Sequence, residues 1–269
     1  MVAHKFCMGV VVYNPTITEL ENIEAYAGSG LFDLIMIYDN SPEKIGYSFK
    51  HPICRCKFQN ENSGLAKPYN EMIVTAEQNG FDYLCIMDQD SSYNQDEIRR
   101  MQNAINIYAD PSNVAAFCPV VLKKGFEDYE RKKEWIEAEW CINSGTFLNI
   151  SFLNSRHIKY DEAVFLDGLD YDFCWTVREQ KGSIMQYRDS LMIQTFGYKT
   201  NDKQSVSHYS ALRYYLITHN RKYIFKKHFG VMRGLLHAQI KNIILSLKVL
   251  FYEDNKLEKF IACYKGIIR

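Results

Sequence analysis

The sequence holds only six prolines in 269 residues, and its 14 glycines form no Gly-rich phosphate loop. Neither a Gly-x-Ser-x-Gly elbow nor a His-Glu-x-x-His pair occurs. Acyl transfer through an activated serine and helix-borne zinc hydrolysis therefore find no support. The eight cysteines contain no Cys-x-x-Cys pair, which argues against a structural zinc site. Most of them, such as Cys7 and Cys85, sit inside apolar runs and read as small buried hydrophobes of a reduced, cytosolic protein. Net charge is also lacking, with 32 Lys and Arg against 32 Asp and Glu. A general nucleic-acid binder needs a basic field, so the zero balance argues against one. No run of 18 or more apolar residues is present, so no transmembrane helix is expected. The first apolar run ends in Tyr13-Asn14-Pro15 without a small-residue cleavage site, and reads as a strand rather than a signal peptide.

What is present is an ordinary globular composition, 47% hydrophobic and 24% charged, with 19 tyrosines. The charge is segregated. From residue 219 onward there are 11 Lys and Arg against three Asp and Glu, a net of +8, which leaves the first 218 residues at −8. Such asymmetry fits either a tail that meets an anionic surface, membrane or nucleic acid, or a solvated basic helix face.

The first half alternates strands and helices. Continuous β-branched or apolar runs at Phe6–Tyr13, Leu34–Tyr38, Cys54–Phe58, Tyr83–Met87 and Val114–Cys118 read as strands, the long ones buried on both faces. Helices are expected from Thr16 or Thr18 to about Ala27, over Ala66–Asn79, and from Asn94 or Asp96 to about Tyr108. The alternation implies right-handed βαβ units and a largely parallel sheet, with ligands at the carboxyl ends of the strands. The second half is less regular. Lys123–Glu139 reads as a charged loop with a short helix, Trp140–Ile150 and Met185–Phe196 as strands, and everything from Ala211 as helix. The expected division is a nucleotide-binding and catalytic domain over residues 1–218 and a basic helical appendage over 219–269.

Two acidic clusters could carry chemistry. Asp88-Gln89-Asp90 follows the fourth strand, where two carboxylates at i and i+2 can share a divalent cation that prefers hard oxygen ligands. The alternative is an Asp-rich turn whose carboxylates bond backbone amides. Asp167, Asp170 and Asp172 form the second cluster. A carboxylate there, beside Phe165, Tyr171 and Trp175, suits a general base, with Asp170 the first choice and its two neighbours in support. Alternatively, the cluster caps a helix N-terminus. His208, His219, Arg213 and Arg221 share a Tyr-rich segment that either holds phosphates or an acceptor, or packs as a basic amphipathic helix.

The order of these motifs resembles the family 2 glycosyltransferases of GT-A fold, in particular the bacterial rhamnosyltransferase-like branch. The resemblance covers roughly residues 6–225. It rests on Val12-Tyr13-Asn14-Pro15, Asp39-Asn40-Ser41, Asn60-Glu61-Asn62-Ser63-Gly64 with Asn70, and Met87-Asp88-Gln89-Asp90-Ser91. Ser144-Gly145, Asp161-Glu162, Phe165-Leu166-Asp167-Gly168-Leu169-Asp170, Arg213-Tyr214-Tyr215 and Asn220-Arg221 complete it. It implies an α/β, GT-A (Rossmann-like) architecture: a mostly parallel central sheet flanked by helices, with a helical C-terminal appendage. It further implies that Asp39 reads the nucleotide base and that Tyr13 and Pro15 line the nucleoside pocket. Asn62 and Gly64 would lie near the ribose and diphosphate. Asp88 and Asp90 would bind Mg2+ or Mn2+, and Asp170 would deprotonate the acceptor hydroxyl in a single inverting displacement.

Two departures stand out. Thr176 and Gln194 occupy places where that branch often carries Arg and His, which leaves His208 as a substitute metal or diphosphate ligand. The implied donor is dTDP-rhamnose or a UDP-hexose. The implied acceptor is a glycan or lipid-linked oligosaccharide at the cytoplasmic face of the cell membrane. The segment Phe229–Tyr252 mixes Leu and Ile with spaced Lys and Arg, as an interfacial helix would, or as a helix packed on the domain or on a second copy would. The competing readings are a catalytically inactive glycan- or partner-binding protein of the same fold, and a sugar-nucleotide pyrophosphorylase, which would need the missing Gly-rich loop.

Overall fold

The structure is a computed structural model in which residues 4–125, 128–194 and 209–268 are described. Its first compact unit comprises residues 1–162 and 173–194 and is built on one eight-stranded sheet. The strands are β1 (Phe6–Val12), β2 (Leu34–Asp39), β3 (Cys54–Phe58), β4 (Tyr83–Asp88), β5 (Val114–Lys123), β6 (Trp135–Glu137), β7 (Phe147–Asn149) and β8 (Ser183–Gln194). Their order is β3-β2-β1-β4-β7-β5-β8-β6. β3, β2, β1 and β4 are mutually parallel, as crossover helices α1 (Ile17–Ala27) and α2 (Ala66–Gln78) require. β1 and β2 are buried along their whole length, which explains their unbroken apolar sequence.

The other half of the sheet is mixed, not parallel. β7 runs antiparallel to both β4 and β5, and β6 antiparallel to β8. β5 and β8 are parallel to each other, so β6 and β7 both run opposite to that pair, one at its outer edge and one between it and β4. Two local expectations need correction here. Within 123–139 the described residues hold the strand β6 and no short helix. Within 140–150 only Phe147–Asn149 is strand. Gly145 takes φ +77 and donates its N–H to Ile86 O, so the chain turns before pairing begins. Asn149 then caps the short helix α4 (Ile150–Ser155) through Phe152 N. β8 ends at Gln194, and Phe196 lies outside the described residues.

Local signals elsewhere worked as chemistry dictates. Thr16 caps α1 in a full capping box with Glu19. Asn94 caps α3 (Gln95–Asn106) through Asp96 N. All eight cysteines are free thiols and six are buried; burial pushes the Cys7 and Cys85 thiols up.

The second unit comprises residues 163–172 and 195–269. The first turn of α5 (Leu169–Glu179) belongs to it. So do α6 (Ala211–Phe229), α7 (Val231–Tyr252) and α8 (Lys256–Ile268), which pack on one another. Gly234 and Gly266 are where α7 and α8 approach the α6 backbone too closely for a Cβ. Buried polar ties lock the three helices. Thr218 Oγ1 donates to Tyr214 O and Cys263 O, and Arg221 to Asn242 Oδ1 at 2.8 Å. Tyr214 Oη bonds Glu253, whose carboxylate also holds the buried Lys259 at 2.6 Å. α7 is also long and apolar enough to cross a membrane by length and composition. No unbroken apolar run marks α7 in the sequence, because Arg233, Lys241 and Lys248 interrupt the pattern.

Candidate functional site

The carboxyl ends of β1, β2 and β4 are adjacent, so the loops that follow them meet. Side chains knit those loops together. Gln89 Oε1 accepts the N–H of Tyr13 at 2.7 Å, and Ser41 Oγ accepts the N–H of Asn14 at 2.9 Å. Asn14 takes φ +45, a conformation Asn tolerates better than most residues, and so turns the chain between the two contacts. Asn40 is buried; its Nδ2 donates to Gly64 O at 2.7 Å and its Oδ1 accepts from Ser63 Oγ at 3.3 Å. Asn62 Oδ1 accepts the N–H of Gly64, an Asx turn, while Gly64 sits at φ +73.

Asp39 lies at the centre of this set and is fully buried. Its two oxygens accept the N–H groups of Ser41 and Ile45, so its direct action is to shape the loop after β2. Tyr13 and Asn62 are exposed, Pro15 is half-buried and Gly64 is buried. Tyr13, Asp39, Asn62, Gly64 and Asp88 are thus held within one continuous network of strand-end loops.

Asp88 is the last residue of β4 and half-buried, while Asp90 is exposed. The Asp88 N–H donates to Ser144 Oγ at 3.0 Å, and Ser144 Oγ donates to Ser91 Oγ at 2.8 Å. Gln194, at the end of β8, puts Nε2 3.4 Å from Asp88 Oδ2. Its own Oε1 is buried with no hydrogen-bond partner among the described residues. Asp88, Asp90 and this orphaned carbonyl are all hard oxygen donors, a set that fits Mg2+ or Mn2+. No group of three or more His, Cys, Asp and Glu able to hold an ion occurs among the described residues. An ion of that class commonly keeps several positions for water and substrate phosphates, so few protein ligands suffice. His208 lies outside the described residues. A polar cleft of about 650 Å³ opens beside the same loop, lined by Gln89, Asp90, Ser91 and Asn94 with Glu19 and Asn22 of α1.

The second acidic cluster lies in the second unit, and its members have different fates. Asp167 Oδ1 accepts from Arg213 Nη2 at 2.7 Å and Nε at 3.1 Å, its backbone O accepts from Asn220, and its Oδ2 is buried without a hydrogen-bond partner among the described residues. Gly168 sits at φ +95, and a Cβ there would collide with Ile224. Asp172 is buried against Lys227 Nζ at 2.8 Å and His228 Nε2 at 2.9 Å. Arg213, Asn220 and Lys227 recur every seven residues, so one face of α6 clamps the 163–172 segment. Asp170 lies in the first turn of α5 and is half-buried. Burial lowers the Arg221 pKa, with Tyr171 opposing the shift; a guanidinium there remains a cation.

Three contributors went unassigned in the sequence. Gln89 reads as a spacer between two aspartates, Ser144 as part of a strand, and Gln194 only as a departure from a pattern. The Ser-Gly pair inside a supposed strand was the available signal for a turn at the site. Gln89 and Gln194 leave no such mark.

No protein-family model matches this sequence, and no curated protein matches it. Its fold does have solved counterparts. The structure of GalNAc-T7 with UDP, GalNAc and Mn2+, a GT-A glycosyltransferase, aligns with a TM-score of 0.60 at 9% identity. The alignment covers 84% of this chain and 50% of that one, so the chain spans about half the neighbour's length. The fold is therefore α/β of the GT-A type: an eight-stranded sheet flanked by helices, with further helices at the C-terminal end.

Proposed function

We propose that the chain is an inverting, divalent-metal-dependent glycosyltransferase that moves a sugar from a nucleoside diphosphate to a hydroxyl of a glycan or lipid-linked oligosaccharide. The observation that carries it is the hydrogen-bonded union of three strand-end loops around Asp88 and Asp90 on a GT-A fold. The finer reading, a family 2 enzyme of the rhamnosyltransferase-like branch, rests on the motif order. It makes dTDP-rhamnose the first donor to try and a UDP-hexose the second.

Tyr13 and Pro15 would line the nucleoside pocket. Asp39, through the loop it holds, would set the surface that meets the base. Asn62 and Gly64 would approach the ribose and diphosphate, with the Gly64 backbone free of a side chain. Asp88 and Asp90, with Gln194 Oε1, would hold Mg2+ or Mn2+. When bound, such an ion neutralises charge that develops on the departing nucleoside diphosphate. Asp170 would accept the proton of the acceptor hydroxyl, and Asp167 and Asp172 would fix the backbone around it through Arg213, Lys227 and His228. No side-chain nucleophile is needed for a one-step displacement. The test is release of free nucleoside diphosphate across a donor panel with Mn2+, compared with Asp88→Ala. The proposal fails if the two proteins release it equally.

A further inference from the structure

α7 buries one side and leaves another open. Gly234, Ala238, Asn242, Ser246 and Val249 are buried in the packing of the three C-terminal helices. A second set with helical spacing faces solvent: Met232, Leu236, Ile240, Ile243, Leu247 and Leu250. Met232 is 86% exposed and Leu236 62%, values at odds with a finished surface for large apolar side chains. α8 repeats the pattern with exposed Leu257, Ile261, Tyr264 and Ile268, again three and four residues apart. The formal charges of α7 are all positive, Arg233, Lys241 and Lys248, all exposed, and the helix contains no Asp or Glu. At about 100° per residue, Lys241 and Lys248 fall on one edge, between the buried and the apolar faces.

We propose that this face docks on an anionic phospholipid bilayer, with α7 lying in the plane of the interface. A spanning arrangement is disfavoured. It would carry Lys241, midway along the helix, into the hydrocarbon, where a central Lys is expensive. It would also strip Asn242 from Thr218 O and Arg221, the ties that hold α7 to α6. A second copy seated on the same face would set the lysine edge against itself, with no carboxylate on the helix to pair it. Anionic headgroups supply the missing charge while the apolar stripe enters the acyl boundary, the arrangement of an interfacial helix. The inference stands apart from the transfer chemistry, and its test reads lipid binding rather than turnover.

The experiment is cosedimentation of the full chain with vesicles of phosphatidylcholine alone and of phosphatidylcholine mixed with phosphatidylglycerol, alongside sedimentation equilibrium without lipid. The expected result is a monomer that binds the mixed vesicles, binds the neutral ones far less, and is released by salt. Lys241→Gln combined with Lys248→Gln lowers the partition about 30-fold at low salt. Ile243→Glu abolishes binding with its thermal transition intact. Should that variant fail to fold, Met232→Glu, at the most exposed position of the stripe, takes its place. Binding that ignores phosphatidylglycerol, a chain that ignores both vesicles, or a dimer that Ile243→Glu dissociates would each overturn the proposal, the last in favour of a second copy.

Discussion

The side-chain oxygen of Gln89 accepts the main-chain N–H of Tyr13 at 2.7 Å, joining the loop after β4 to the loop after β1. Tyr13 is half-exposed at the strand end, and Gln89 separates the two aspartates of the proposed metal site. One contact thereby links the surface assigned to the nucleoside with the carboxylates assigned to the diphosphate. Gln89→Ala removes a hydrogen bond of about 1 kcal/mol. It should raise the donor KM roughly fivefold with little change in kcat, because it loosens binding and leaves the carboxylates in place. Gln89→Glu keeps the acceptor for Tyr13 N but sets a carboxylate against Glu19 Oε1, which Gln89 Nε2 faces at 3.4 Å, and so should restore donor binding only in part; steady-state kinetics on the three proteins check this.

Asp170 and Asp172, two residues apart, should separate cleanly. Asp172 is a buried carboxylate paired with Lys227 and His228. Breaking such a pair from one side costs about 3–5 kcal/mol, so Asp172→Asn should show a large fall in thermal midpoint. Asp170→Asn, at a half-buried position, should lose less thermal stability than Asp172→Asn, retain donor binding and lose transfer by about 100-fold or more. Calorimetry and a transfer assay on both variants give the answer. Equal melting of the two would refute the structural role assigned to Asp172.

The parallel strands and their helices were legible because burial on both faces leaves an unbroken apolar run, and because Thr16 and Asn94 announce their helices by side-chain chemistry. β6 and β7, at three residues each, are too short to carry a period, and their pairing is settled by partners distant in sequence. The site was legible where a charge marks it, as at Asp88. It was illegible where a neutral amide acts, as at Gln89 and Gln194, since an amide looks the same at a surface and in a network. The fate of Asp172 was hidden for a related reason: Lys227 and His228 lie 55 and 56 residues away.

Gly145 should resist substitution. Its φ of +77 and the approach of Met192 leave no place for a Cβ. Gly145→Ala should destabilise by about 1–3 kcal/mol from backbone strain alone. It should also weaken donor binding, since the adjoining Ser144 supports the Asp88 backbone. Denaturant unfolding and a donor titration test the two effects separately.

Acid should weaken the fold partly through Glu97. Burial pushes its pKa up, but the bidentate Arg131 guanidinium and the Leu191 N–H outweigh that and leave it below the usual carboxylate value. With the folded pKa below the unfolded one, the unfolded chain takes up the proton first. The stabilisation is present above about pH 4.5 and drains away as pH falls through the folded pKa. Thermal midpoints from pH 6 down to 3 should therefore fall less steeply for Glu97→Gln than for the parent. Parallel curves would remove Glu97 from the account.

The central claim is that Asp88 and Asp90 hold a divalent ion against the diphosphate of a sugar nucleotide. Titration calorimetry of UDP and dTDP into the protein, with Mn2+ and with chelator, tests it most directly, using Asp88→Ala as the control. The account predicts binding of at least one nucleotide in Mn2+, weakened at least tenfold by chelator and by the substitution. Nucleotide binding of equal strength in all three conditions, or none in any, would contradict it.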